Sequence, residues 1–172
     1  MVTVPYFEGE GCVKEILEAI SYGEKRSSIG RTIGEGDFSQ LVNLNWTIGP
    51  IHADSQHMQT TSFGERILPG VCVLSTTIGL ANTSRIRELM ADHGFKLVAL
   101  LGFENVRFTS AVYPGDTIKV ESEILDARPS SAPKRCVARL KDVTRRQDQR
   151  GRPGGGSNRA LRTHGLNRAF SA

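Results

Sequence analysis

Apolar residues at 13, 16, 17 and 20 of VKEILEAI fall on one face of a helix, the first element that the pattern predicts. Between Gly23 and Gly30 a mostly polar stretch reads as a short strand. Thr32 to Glu35 has the T-x-x-E form of a capping box and predicts a helix running to about Leu44, which Gly49-Pro50 then breaks. Residues 54–61 predict a short polar helix, with Asp54 as its N-cap. From Gly70 the run VCVLSTTIGLANTSRIRELM carries small and apolar residues round most of its surface over Val71 to Ala81. The spacing predicts a helix over Gly70 to about Ser84, buried nearly all round, with Arg85 and Arg87 marking where it or a successor meets water.

After His93-Gly94 the period changes. KLVALLGFENVRFTSAV is rich in Val, Leu and Phe and alternates at Val106, Phe108 and Ser110, so Arg107 is placed on the opposite face of a strand. Tyr113-Pro114-Gly115-Asp116 reads as a tight turn. TIKVESEIL and RCVARLKDVTRR then alternate, separated by a turn cluster from Arg128 to Pro133. Strand, helices, a long buried helix and an antiparallel meander together predict an α+β fold. The expected organisation is an N-terminal helical extension over 1–22, one domain over 23–145, and a Gly/Arg-rich tail over 146–172 that is read as poorly ordered.

The length of 172 residues fits one such domain, and 38% hydrophobic residues suffice for a core. The net charge of +4 is uneven. Residues 145–172 hold seven Arg against Asp148 alone, +6; the rest, with fifteen basic and seventeen acidic residues, sums to −2. The basic character belongs to the tail, which is read as a solvated segment with no specific nucleic-acid partner. No apolar run approaches the ~20 residues of a membrane helix, so no membrane partner is expected. The first 20 residues, with Glu8, Glu10, Glu15 and Glu18 and no basic start, do not read as a secretory signal. Cys12, Cys72 and Cys136 are an odd number without CxxC spacing, which argues against a disulfide framework or a cysteine-built zinc site and for a cytoplasmic setting. His57, His93 and His164 show no metal-like grouping, so no metal is expected.

Four segments, GRTIGEGDF (30–38), PIHAD (50–54), FGERILPG (63–70) and NVRFTSAVYPGDTIKVESEIL (105–125), resemble in order and separation the MaoC-like dehydratase family, which includes (R)-specific enoyl-CoA hydratases. The resemblance implies a hotdog fold, a long central helix wrapped by an antiparallel sheet, usually dimeric, acting on a coenzyme A thioester as substrate with no cofactor. The family's hydratases carry G-D-x-N-P-[IVL]-H, whose Asp and His handle the water added to the double bond. Pro50, Ile51 and His52 match it here, while the family's Gly falls on Trp46, its Asp on Thr47 and its Asn on Gly49. A threonine hydroxyl can orient a water but has no accessible charge change near neutral pH.

The resemblance therefore assigns catalysis to His52, with Thr47 at the Asp position. Asp54, two residues beyond His52, is a substitute acid whose competing role is the N-cap. Gly70 and Val71 offer N–H groups for a thioester oxyanion. Gly49, Phe63 and Ile67 complete the expected substrate-binding set, with Arg107 as a candidate for a CoA phosphate. Three readings follow: an enoyl-CoA hydratase or dehydratase of altered strength, a non-catalytic acyl-CoA-binding hotdog protein, and a hotdog thioesterase. The third needs an acid on or just before the central helix. Val71 to Arg87 contains none, and Glu65 and Glu88 lie outside it.

Overall fold

Along the chain the computed structural model runs β1 (Val2–Gly9), β2 (Lys25–Ser27), β3 (Arg31–Thr32), α1 (Glu35–Leu44), α2 (Pro50–Ala53), α3 (Ser55–Gln59), α4 (Gly70–Ala81), α5 (Ile86–Asp92), β4 (Phe95–Glu104), β5 (Thr117–Pro129) and β6 (Arg135–Arg146). It describes residues 1–9, 18, 22–84 and 86–147. All strand pairings are antiparallel, in the order β2-β5-β6-β1-β4, with β3 also on β5. The central helix α4 packs on β5 and β6, which is the hotdog layout.

The alternation of β5 dictates its burial. Ile118, Val120, Ser122 and Ile124 are buried beneath the helices. Glu121 and Glu123 face the other way and pair with Arg145 (3.0 Å) and Lys141 (3.6 Å). That outer face is a ladder of ion pairs suited to water.

Two apolar clusters fill the inner side. One joins Ile33, Phe38, Val42, Leu68, Cys72, Val112 and Ile118 under the start of α4; the other joins Phe7, Met90, Phe95, Ile124, Cys136 and Ala138 under α5. Between them runs a polar strip, where the Thr77 and Thr144 hydroxyls lie 2.6 Å apart and Ser122 Oγ donates to Asp142 Oδ1 at 2.6 Å.

Several expectations are corrected. Residues 2–9 belong to no helical extension outside the sheet: they form β1, between β4 and β6. Pro5 disguises this strand, since proline lacks the ladder N–H. The chain tolerates it because the register with β4 shifts between Thr3 and Pro5. The helix expected over 13–20 lies outside the described residues apart from Glu18, which is helical. The tail expectation for 146–172 loses its first residue, because Arg146 ends β6; residues 148–172 lie outside the described residues. The capping box sits two residues late: Gly34 is the N-cap of α1, and Asp37 Oδ2 accepts from its N–H at 3.0 Å.

The NVRF segment is not a strand. β4 ends at Glu104, Asn105 turns the chain with φ 52°, and Arg107 lies in the following loop. Nor is α4 buried all round. Cys72 and Thr77 are buried, but Val71, Ser75 and Gly79, spaced one turn apart, form an exposed stripe.

Candidate active site

The expected site residues lie on the segment that leads from α1 into α4. Residues 44–69 leave α1, make the short helices α2 and α3, and return to deliver Gly70. Leaving α1, Trp46 adopts φ 55°, a left-handed conformation that costs a residue with a Cβ ~1–2 kcal/mol. Thr47 turns back onto the end of α1: its N–H and Oγ1 both donate to the Val42 carbonyl, at 3.1 and 3.3 Å. Cys72 Sγ donates to the Leu41 carbonyl at 3.4 Å, which ties the first turn of α4 to the end of α1. Burial pushes the Cys72 thiol up, against a smaller pull down from Thr47, so Cys72 stays a neutral thiol. Thr47 is thereby fixed to the end of α1, the same end that Cys72 holds to α4.

His52 approaches from α2, which Gly49 opens with Pro50 in the first turn. Its Nδ1 lies 2.7 Å from the Ile67 carbonyl, and Ile67 N–H donates to the Ile51 carbonyl at 3.2 Å. A carbonyl only accepts, so Nδ1 carries the proton in this bond. The neutral ring then presents Nε2 as an acceptor, the state of a general base. His52 is half-buried, which leaves that nitrogen a route to a ligand.

Gly70 lets a neighbouring ring sit close to the backbone. A Cβ there would meet Cε2 of Phe108 at 2.7 Å, so the ring lies against the bare Cα. The first intrahelical bonds of α4 run from Cys72 and Val73 N–H to the Pro69 carbonyl, at 2.9 and 3.0 Å. Among the described residues, the Gly70 and Val71 N–H groups donate to no protein acceptor, as expected at a helix start. Val71 is 50% exposed.

Other candidates stand apart. Asp54 is the N-cap of α3, with Oδ1 accepting from His57 N–H at 2.9 Å, and that role accounts for it. Phe63 is exposed in the loop after α3, and Arg107 is exposed in the loop after β4, without an ion pair among the described residues. Gly49 has open space where a side chain would go. Ile67, expected as a substrate contact, turns out to orient His52 through its backbone. No carboxylate hydrogen-bonds His52 or Thr47 among the described residues, and no group of metal-ligating side chains occurs among them. Sequence reasoning missed the Cys72–Leu41 contact and the seat of Phe108 on Gly70. Gly70 does signal a close approach, but not by which residue.

The family model for the MaoC-like domain matches residues 41–147, the stretch that carries this geometry. The chain belongs to the MaoC-like dehydratase family. Protein MaoC of Klebsiella aerogenes is 30% identical over 107 residues, which are 62% of this chain and 30% of that protein. The chain therefore spans less than a third of that relative's length. The 3-hydroxyacyl-[acyl-carrier-protein] dehydratase FabZ of Thermus thermophilus is 29% identical over 118 residues, covering 67% of this chain and 78% of the enzyme. Among solved structures, a monoamine oxidase regulatory protein from Archaeoglobus fulgius superposes with a TM-score of 0.62 at 28% identity, over 76% of this chain and 83% of that one. In this MaoC-like chain His52 is held by the Ile67 carbonyl, three residues before the start of α4. Thr47 stands where the resemblance puts an acid.

Proposed function

We propose that this MaoC-like chain is an enoyl-thioester hydratase or dehydratase in which His52 alone moves the protons, acting on an acyl-CoA. The observation that carries the reading is the Nδ1 bond from His52 to the Ile67 carbonyl, because it leaves Nε2 basic. In the hydration direction, Nε2 takes a proton from water as the water oxygen bonds to the β-carbon. The electron pair of the double bond shifts toward the thioester, and negative charge gathers on its oxygen. The Gly70 and Val71 N–H groups, which bond no protein acceptor among the described residues, hold that charge in this reading. The protonated ring then gives its proton to the α-carbon, which regenerates the thioester.

Thr47 orients the water and cannot exchange a proton with it, so the activity on straight-chain substrates is low. General acid–base assistance is worth ~10²–10⁴-fold per group, and the missing acid sets the deficit on that scale. The test is hydration of crotonyl-CoA, followed by loss of enone absorbance. The wild type should turn over slowly, His52→Ala should abolish the residual rate, and Thr47→Asp with Gly49→Asn should raise it. CoA thioester binding without turnover, and with no gain in the double variant, would make the chain a non-catalytic acyl-CoA-binding hotdog protein. A thioesterase finds no acid on α4, whose sequence is GVCVLSTTIGLA.

The assembly is a homodimer in this reading. β4 pairs with β1 and with no other described strand. Val98, Leu101 and Phe103 on it are exposed, as are Val106 and Phe108 beyond it. An edge strand with such a surface calls for cover, and a second copy paired antiparallel supplies it by symmetry. Light scattering at micromolar concentration should give twice the chain mass; a monomer would contradict it. The buried free thiols of Cys72 and Cys136 suit the cytoplasm. No helix among the described residues is long and apolar enough to cross a membrane.

A further inference from the structure

A buried carboxylate that the proposed chemistry does not use is linked to His52 by an unbroken run of hydrogen bonds. Asp116, 1% exposed, closes the turn Tyr113-Pro114-Gly115-Asp116 by donating its N–H to the Tyr113 carbonyl at 3.1 Å. Its side chain adds a second bond: Oδ2 accepts from the Tyr113 N–H at 2.9 Å. The carbonyl of the same peptide unit, that of Val112, accepts from the Leu68 N–H at 2.7 Å. The carbonyl of that next unit, that of Ile67, holds His52 Nδ1 at 2.7 Å. Behind the carboxylate stands Arg146, whose side chain is 18% exposed. Its Nη1 lies 3.5 Å from Asp116 Oδ2 and donates to the Ala111 carbonyl at 3.2 Å. A charge buried as deeply as Asp116 needs such a partner.

We propose that Asp116 is a positioning residue for His52, acting through the peptide units 112–113 and 67–68. The inference rests on the reading of His52 as the general base and adds what holds its ring. Two physical effects run along the bonds. A trans peptide is planar, with its N–H and C=O pointing opposite ways, so fixing one end aims the other. Asp116 thus aims the Val112 carbonyl, and Val112 in turn aims the Ile67 carbonyl at Nδ1. The bonds also polarise one another. A carboxylate drawing on an N–H makes the carbonyl of that unit a stronger acceptor, and the gain passes on, weakened, to the next unit. Both effects favour the ring with its proton on Nδ1 and Nε2 free to accept. They also favour the positive ring formed once Nε2 has taken a proton, because its Nδ1–H is a stronger donor.

The test reads the ring itself and needs no substrate. NMR shifts of the ring carbons report the tautomer, and exchange with water reports how firmly the Nδ1 proton is held. His52→Ala identifies the signals among the chain's four histidines. Asp116→Ala should speed exchange of that proton by about fivefold, the worth of one net hydrogen bond, and admit the tautomer with the proton on Nε2. Asp116→Asn keeps an acceptor for the Tyr113 N–H and loses the charge, so its effect should be smaller and in the same direction. If Asp116→Ala does not fold by circular dichroism, Asp116→Asn combined with Arg146→Met, which removes both buried charges, carries the comparison. Asp142→Ala is the control, since it deletes another buried carboxylate, 2% exposed, that accepts from Ser122. It should leave the ring unchanged. A His52 ring unaltered in the folded Asp116 variants, or altered equally by Asp142→Ala, would overturn the positioning role. In crotonyl-CoA hydration Asp116→Asn should lower kcat and leave KM unmoved, since substrate binding does not use the base. If the wild type does not hydrate crotonyl-CoA, the hydratase reading falls, and the ring's response alone decides for or against Asp116.

Discussion

The two ends of the central helix α4 differ in what lies beneath them. Under its start, Phe38 and Cys72 are completely buried, and Ile33, Val42, Leu68, Val112 and Ile118 close round them. Under its end, Ser122 and Asp142 hydrogen-bond each other beside a cavity of about 50 Å³ lined by Phe7, Ile78, Ala81, Leu97 and Leu140. The dry end holds Thr47 and Gly70, to which the proposed function assigns roles. A close-packed apolar cluster has few alternative arrangements, so it fixes a helix start to the tolerance that proton transfer needs. The other end carries none of the candidate site residues and leaves a void.

The sharpest way to break this contrast is Phe38→Ala. Removing a fully buried ring from the dry end should cost ~3–5 kcal/mol, read as a lower urea midpoint. It should also lower activity beyond the loss of folded protein, because Leu41 and Val42, which anchor Cys72 and Thr47, lie on the same helix. At the other end, Asp142→Ala leaves Ser122 without its acceptor. The expected cost is ~1–3 kcal/mol, with the rate per folded molecule unchanged. Equal effects of the two variants on that rate would show that the ends are not mechanically distinct.

Much of this contrast could be read from sequence, and the parts that could not have physical reasons. The alternation in TIKVESEIL announced the burial pattern of β5, and the small, apolar run from Gly70 announced α4. β1 was hidden by Pro5, and its partners β4 and β6 lie far along the chain, where no local pattern points. Val106, Arg107 and Phe108 alternate like a strand, yet the segment has no ladder partner; its Phe108 packs on Gly70 instead. The all-round apolar surface of α4 cannot say whether sheet or second copy covers each side, and Val71, Ser75 and Gly79 remain open. His52 stood out as a candidate because Pro50 and Ile51 precede it in the pattern of the resemblance. Its orienting group did not, because a backbone carbonyl at Ile67 has no side-chain signature.

Gly70→Ala probes the dry end more gently. The added methyl would meet Phe108 at 2.7 Å, but the ring is 52% exposed and can swing outward. The stability cost should therefore fall near the lower end of overpacking, ~1 kcal/mol. Affinity for acyl-CoA should drop more than stability does, because the displaced ring stands at the helix start. A calorimetric titration beside a thermal melt separates the two. Unchanged affinity would detach Phe108 and Gly70 from the binding surface.

The smallest effect is expected at Gly49, where the dry end has its one slack joint. Gly49 is the N-cap of α2 without a side-chain cap bond, at φ −61° and ψ 153°, a conformation open to any residue. Nothing lies within 4 Å of where its Cβ would be. Gly49→Asn therefore meets no clash, supplies a cap oxygen to the first N–H groups of α2, and removes chain entropy from the unfolded state. The gain should be a few tenths of a kcal/mol up to ~1 kcal/mol. Since α2 carries His52, a firmer cap should also narrow the ring's motion about the Ile67 carbonyl. The expected signature is a small rise in Tm together with greater protection of the His52 Nδ1 proton from exchange in NMR spectra. A rise in Tm with no change in that exchange would mean that the Ile67 bond, and not the cap, already sets the ring's order.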